Sequence, residues 1–288
     1  MIQRRQETLD SARRPREAMN IGSATKTRAR LRVFRALLIA AFVCAVPVAL
    51  VTTTIRIAVS DTAVYDYAVQ HYGSQQASGI PEQELLKAND QIHDYLTNNR
   101  SGALSIQVRN QNGEAVPLFN AREVAHMADV RDLVHLFFIV QVAALAALLL
   151  FGVLVFVLWK LRTLALAALY GSVLTAALIT FTGIFAVTGF DSAWSQFHGI
   201  AFSNDFWELN PARDHLIQMF PESFWFDITI LIGACTLLES LLISAVSGAY
   251  MLSTREKAAA AGLGTPGAQP RQPGVDPPGS LASSNPER

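Results

Sequence analysis

The sequence predicts an all-α polytopic membrane protein with four transmembrane helices, a small α+β extracytoplasmic domain and an aromatic-rich outer loop. Composition gives the first reason: of 288 residues, 51% are hydrophobic and only 16% charged, well under the quarter or so expected of a soluble globular protein. The second is clustering. Apolar residues gather into four runs, Ala36 to Thr54, Leu133 to Trp159, Thr163 to Gly189 and Ile228 to Leu252, and a hydrocarbon core about 30 Å thick is crossed by roughly 20 helical residues. The third is charge asymmetry between alternate connections, because loops rich in lysine and arginine are retained in the cytoplasm.

Residues 1–35 hold ten basic side chains, among them Arg28, Arg30, Arg32 and Arg35 against the first run. Lys160 and Arg162 sit between the second and third runs, and Arg255 and Lys257 follow the last. The segments Thr53 to Asp132 and Phe190 to Asp227 carry seven basic residues against sixteen acidic ones. Both termini and the 160–162 turn are therefore expected in the cytoplasm. The formal net charge of zero hides a positive inside and a negative outside.

Taken in order, residues 1–35 read as a disordered basic cytoplasmic tail and 36–54 as the first span. The lead is too long for a signal-peptide n-region, and Val51 to Ile57 offers no small-residue cleavage site, so this run reads as an uncleaved anchor. Cys44 and Cys235 both lie within runs and read as small apolar fillers. Residues 55–132 form the outer domain. There Asp61 to Tyr72 reads as a helix, Pro81 opens a second over Glu82 to Leu96, and Ser105 to Arg109 with Ala115 to Leu118 alternate around Asn112-Gly113, a dipeptide that favours a hairpin turn. Asn120 followed by Glu123 forms a capping box for a helix continuing into the span at 133–159.

After the third span, 163–189, residues 190–227 read as an outer membrane-surface loop, followed by the span 228–252 and a disordered cytoplasmic tail, 253–288. The loop is dense in aromatic residues, which suit the headgroup boundary. Asn210-Pro211 and Pro221 bracket a short amphipathic helix, Ala212 to Phe220. In the last span, Glu239 needs a polar partner at that depth, with Ser172 or Thr180 as candidates, and Ser244 with Gly248 suits close helix packing.

All six histidines fall on the outer side or at the outer end of a span. His126 has Asp129 on the same helix face, three residues on, and His198 lies seven residues before Asp205. A carboxylate beside an imidazole fixes its tautomer and raises its basicity, as a general base requires. No Gly-x-Ser-x-Gly elbow supports a serine hydrolase. His126, Asp129 and His198 offer metal-ligand types without a tight spacing. A non-catalytic membrane protein whose outer domain binds lipid or a protein partner is the rival from another class.

The strings Phe197-His198-Gly199-Ile200-Ala201-Phe202-Ser203-Asn204-Asp205-Phe206-Trp207-Glu208-Leu209-Asn210-Pro211, Asp214-His215-Leu216-Ile217, Phe220-Pro221 and Glu123-Val124-Ala125-His126-Met127-Ala128-Asp129-Val130 resemble signatures of the Lit family, bacterial lipoprotein intramolecular transacylases. The resemblance covers roughly residues 30–255 in topology and is specific in those blocks. It implies a multi-pass protein of the bacterial cytoplasmic membrane with its active side extracytoplasmic. It further implies that His126 and His198 are catalytic and that Asp129, Asn204, Asp205, Trp207 and Asp214 support or position them. Diacylated lipoproteins and membrane lipid are the implied partners, with no cofactor, metal, nucleotide or nucleic acid. The implied reaction moves an acyl chain from the glyceryl 2-ester of a lipoprotein to the amine of its own N-terminal cysteine.

Overall fold

The computed structural model describes the backbone of residues 2–98 and 102–263, and the side chains of residues 26, 28–98 and 102–257. Ten elements follow in order: α1 (Ile2–Ser60), α2 (Thr62–His71), α3 (Ser74–Ser78), α4 (Glu82–Thr97), β1 (Gln107–Arg109), β2 (Ala115–Pro117), α5 (Ala121–Thr188), α6 (Phe190–Ala201), α7 (His215–Met219) and α8 (Glu222–Leu263). Among the described residues, three helices are long and apolar enough to cross a membrane, at Arg28–Ser60, Ala121–Thr188 and Glu222–Lys257. Helix is the form such sequences take in lipid because every backbone group must be satisfied within its own segment.

The second and third apolar runs lie within one assigned helix, α5, rather than in two separate ones. Its 68 residues are interrupted at Lys160, whose φ of 69° and ψ of 175° are not helical. The two arms then fold together. A Cβ built at Gly152 would lie 3.9 Å from Leu164 Cδ1 and 3.2 Å from Phe42 of α1, whereas twelve residues of straight helix would separate Gly152 from Leu164 by about 18 Å. Leu148 and Phe151 of the first arm and Leu164 and Ala168 of the second thus pack on Phe42 and Val46 of α1. The approach is closest at Gly171, where any Cβ would come within 2.6 Å of Val46 Cγ2. A larger residue there would drive the helices apart, an overpacking cost of about 1–3 kcal/mol.

Beyond the apolar stretches, the segments expected on the outer side share one core. Tyr65, Ala68 and Val69 of α2 and Leu85, Ile92 and Leu96 of α4 meet Ile106, Val108 and Leu118 of the hairpin region. Leu216, Met219, Phe220 and Phe224, from the far end of the chain, close it. The hairpin is antiparallel with Val108 opposite Val116, and Gly113 takes a φ of 81° in its turn, as Asn112-Gly113 predicts. The capping box also forms. Asn120 Oδ1 accepts the Glu123 amide at 3.1 Å and Glu123 Oε2 accepts the Asn120 amide at 2.8 Å.

Several expectations change. The backbone is already helical from Ile2, so helix begins within the lead expected to be disordered. Residues 190–227 are not one surface loop. Their first part is α6 and their last part contributes Leu216, Met219 and Phe220 to the outer core. The helix expected over Ala212 to Phe220 shrinks to α7 because Asn210 Oδ1 takes the Ala212 amide in a local turn, competing with helix. Glu239 pairs with Thr54 at 3.4 Å, and Ser172 instead meets Ser244 at 2.7 Å. Among the described residues, a Cβ at Gly248 would meet no neighbouring atom within 4 Å. By contact the chain divides into Met1–Met251 and Leu252–Arg288. In the second unit residues 252–263 are helical, and the remainder of the tail expected to be disordered lies outside the described residues.

Candidate active site

The helix that carries His126 is held rigidly. Glu123, 1% exposed, accepts the Asn120 amide through one oxygen and the Leu216 amide through the other, at 2.7 Å. One carboxylate therefore caps α5 and ties it to α7. Burial raises the Glu123 pKa, opposed by those two backbone donors. Asp214 does similar work from the other side. It is 2% exposed and accepts Asn120 Nδ2 at 3.0 Å and the Asn210 amide at 2.6 Å. His126 projects from the next turn of α5, ahead of the apolar stretch that opens at Leu133.

His198 reaches the same place from the last turn of α6. The two rings, 72 positions apart in the sequence, lie with centroids 6.0 Å apart and planes 38° from parallel.

 They stand close enough to serve one reacting group. His198 Nδ1 lies 2.8 Å from the carbonyl oxygen of Trp194. A carbonyl only accepts, so Nδ1 carries the proton and Nε2 keeps its lone pair. His126 Nδ1 is buried with no hydrogen-bond partner.

Aromatic rings enclose the pair. Trp194 and Phe197 meet His198 edge-on at 4.4 and 5.2 Å, and Trp207 lies over it at 4.9 Å. Phe202 touches both, at 5.1 Å from His126 and 5.6 Å from His198. The histidines are 7% and 6% exposed respectively. Burial holds His126 down at about 4, helped by the neighbouring His198 and opposed by Asp129. His198 is lowered too, by burial against the Trp194 hydrogen bond. Both rings are therefore neutral at pH 7, one able to accept a proton and the other able to donate a hydrogen bond.

Of the supporting residues read from the sequence, Trp207 alone touches a histidine ring directly. Asp129 accepts Asn204 Nδ2 at 2.8 Å, and Asn204 Oδ1 accepts the Phe206 amide at 3.0 Å. Asp205 turns to Arg122, with a carboxylate oxygen 3.5 Å from Nη2, and is mostly exposed. The carboxylates thus fix the 204–207 segment and the α5–α7 junction, and His198 takes its tautomer from a carbonyl instead. His71, His93 and His215 bond elsewhere, to Tyr67, Ser60 and Gln218. Among the described residues no three His, Cys, Asp or Glu side chains are grouped to hold a metal ion. Sequence reading missed Arg122 and the specific roles of Trp194 and Phe202. For Arg122 the available signal was its position one helical turn before His126.

The sequence profile of the family described as lipoprotein intramolecular transacylase Lit matches residues 40–225. The chain belongs to the Lit family. An uncharacterized protein of Aquifex aeolicus (strain VF5) is 30% identical over 137 residues, 48% of this chain and 59% of that protein. The chain thus spans about three-fifths of the length of that relative. Among solved structures, the membrane integral lipoprotein intramolecular transacylase Lit from Bacillus cereus, determined in meso, superposes with a TM-score of 0.65 at 19% identity, covering 78% of this chain and 98% of that one. A second structure of that protein, carrying a histidine-to-arginine substitution, gives 0.64 at 18% identity over 82% and 99%. This likeness establishes the Lit fold for the chain. With its long apolar helices, the protein is a multi-pass membrane protein.

Proposed function

We propose that this chain is a membrane acyltransferase that acts on bacterial diacyl lipoproteins. It would move the acyl chain from the glyceryl 2-ester to the amine of the substrate's own N-terminal cysteine, leaving a lyso form. The observation that carries this reading is the buried His126–His198 pair, 6.0 Å between centroids, inside an aromatic enclosure in a chain of the Lit family.

The chemistry asks for little beyond what the pair offers. The α-amine, with a pKa near about 8, loses its ammonium proton to solvent and attacks the ester carbonyl. A carbon–nitrogen bond forms, and the carbonyl becomes a tetrahedral oxyanion. His198 Nε2 takes the proton released by the attacking nitrogen and delivers it to the glyceryl oxygen as the carbon–oxygen bond breaks. Neutral His126 donates a hydrogen bond to the oxyanion in a dry site, where such a bond is strong. Nucleophile and ester belong to one molecule, so positioning supplies much of the rate. The amide product is more stable than the ester, and the reaction needs no external energy. Trp207 and Asn204, Asp205, Asp129 and Asp214 act as positioning residues.

We read four membrane crossings, in α1, the two arms of α5 and α8. Two arms are favoured because 68 helical residues in line would reach about 100 Å, three times the hydrocarbon thickness. The basic residues at the break and beyond both end spans favour cytoplasmic termini, and His126 and His198 then face the extracytoplasmic leaflet where lipoproteins reside.

The test is expression in a bacterium that makes only diacyl lipoproteins, with mass spectrometry of lipoprotein N-terminal peptides. The wild-type chain should yield the N-acyl lyso form, and His126→Ala and His198→Ala should abolish it at unchanged membrane abundance. Product from both variants would end the proposal.

A further inference from the structure

Arg122, His126 and Asp129 lie at spacings of four and three, on one face of α5. The outer two both hold the same short segment of chain. Asp129 accepts Asn204 Nδ2 at 2.8 Å. Arg122 donates from Nη2 to the carbonyl oxygen of Asp205, which also accepts the Glu208 amide at 3.1 Å. The ion pair with the Asp205 carboxylate, at 3.5 Å and largely exposed on the acid's side, adds little by itself. The segment between α6 and α7 has no helix or strand over 202–214, and it carries Trp207 across His198 at 4.9 Å.

We propose that Arg122 is a positioning residue that latches residues 204–207 against α5, so that Trp207 closes over His198. The proposal rests on the acyl-transfer reading for what the closed site does, and on geometry alone for the latch. Two observations separate a latch from a simple tie. Arg122 Nε is buried and has no hydrogen-bond partner, so the guanidinium holds the segment through Nη2. Both imidazoles are more than nine-tenths buried, so an acylated substrate reaches them only when something moves aside. The 204–207 segment is the irregular stretch above His198, tied to α5 by one side-chain bond at Asn204 and one at the Asp205 carbonyl. Arg122 grips the main chain, and its planar fork sets the direction of that grip in a way that a lysine would not reproduce.

The test uses the full-length protein in detergent micelles. Diethyl pyrocarbonate labelling of each histidine is followed by peptide mass spectrometry, with exposed His71 as internal reference. In Arg122→Ala, His198 should label at least about fivefold faster relative to His71, and Arg122→Gln, the milder change, should fall between. Trp207→Ala should accelerate labelling similarly, and Arg122→Ala combined with it should add nothing, since both remove one cover. Unchanged His198 labelling in Arg122→Ala and Arg122→Gln, or full additivity with Trp207→Ala, would overturn the latch. Acyl transfer is then measured on the same variants, with kcat falling and KM little changed. Faster labelling with no product from the wild-type protein would sink acyl transfer and leave the latch standing. Lost product with unchanged labelling would do the reverse.

Discussion

Inside the spans, Thr54 lies 3.4 Å from Glu239 and 3.2 Å from Thr236, Arg56 donates to Gln141 at 2.9 Å, and Gln141 donates to Thr53 at 3.3 Å. Arg56 also covers the Phe138 ring at 4.5 Å. At the outer end of α5, by contrast, His126 Nδ1 and Arg122 Nε are buried without partners. Among the described residues, the remaining orphaned atoms belong to Asn89, Tyr95 and Glu222, and none of the five lies in this intramembrane cluster. Lipid offers no water to rescue an unmet polar group, so the intramembrane cluster is satisfied within the protein. The His126–His198 site keeps unmet groups, and under the proposed acyl transfer a substrate would supply the missing bond. An ionisable residue deep in a span, Glu239, drew attention in the sequence, yet it belongs to the satisfied cluster, and the two imidazoles lie apart from it.

The strongest attack on this contrast is removal of the imidazoles. His198→Ala should lower transacylation by about 10²–10⁴-fold, the usual worth of a general base, with His126→Ala close behind, measured as initial rates of lyso-lipoprotein formation. A next step targets the shared carboxylate. Glu123→Ala leaves the Asn120 and Leu216 amides without their acceptor and should destabilise the fold by about 3 kcal/mol, read from thermal unfolding in detergent. A smaller effect comes from proton linkage. His126 sits at about 4 when folded, below its ordinary value of 6.5, so the unfolded chain binds more protons between those values. Stability should therefore fall as pH drops from 6.5 toward 4, and His126→Asn should flatten that slope relative to the wild type. The least effect is expected from Glu239→Gln. Its contact with Thr54 survives as an amide hydrogen bond, and transacylation should stay within about twofold. A large loss there would break the contrast, because it would put chemistry into the intramembrane cluster.

Much of this was legible from local pattern. The apolar runs, the Asn112-Gly113 turn and the Asn120/Glu123 cap each announce themselves within a few residues; the runs fall within three long apolar helices of the described residues, and the turn and the cap form. The pairing of His126 with His198 came from family resemblance, since no spacing rule links residues so distant in the chain. What stayed hidden depended on contacts between segments. Asp129 and Asp205 looked like imidazole partners by their spacing, but Asn204 and Arg122 claim them. α6 hid because its aromatic residues read as membrane-surface loop, while Trp194 in fact spends its carbonyl on His198 and stacks its ring 5.3 Å from Trp225 of α8. Arg122 could not be distinguished from an ordinary outer-face arginine until its loop partner was in view.

Four hydrogen bonds that brace the two imidazoles are made beyond the apolar stretch: Glu123 to Leu216, Asp129 to Asn204, Arg122 to Asp205, His198 to Trp194. Bilayers differ in thickness, and spanning helices answer by tilting. A pair of rings braced this way is insulated from that tilt. The same chain should work at comparable rates in thin and thick membranes, with hydrophobic mismatch altering how substrate arrives and leaving the spacing of the two rings unchanged.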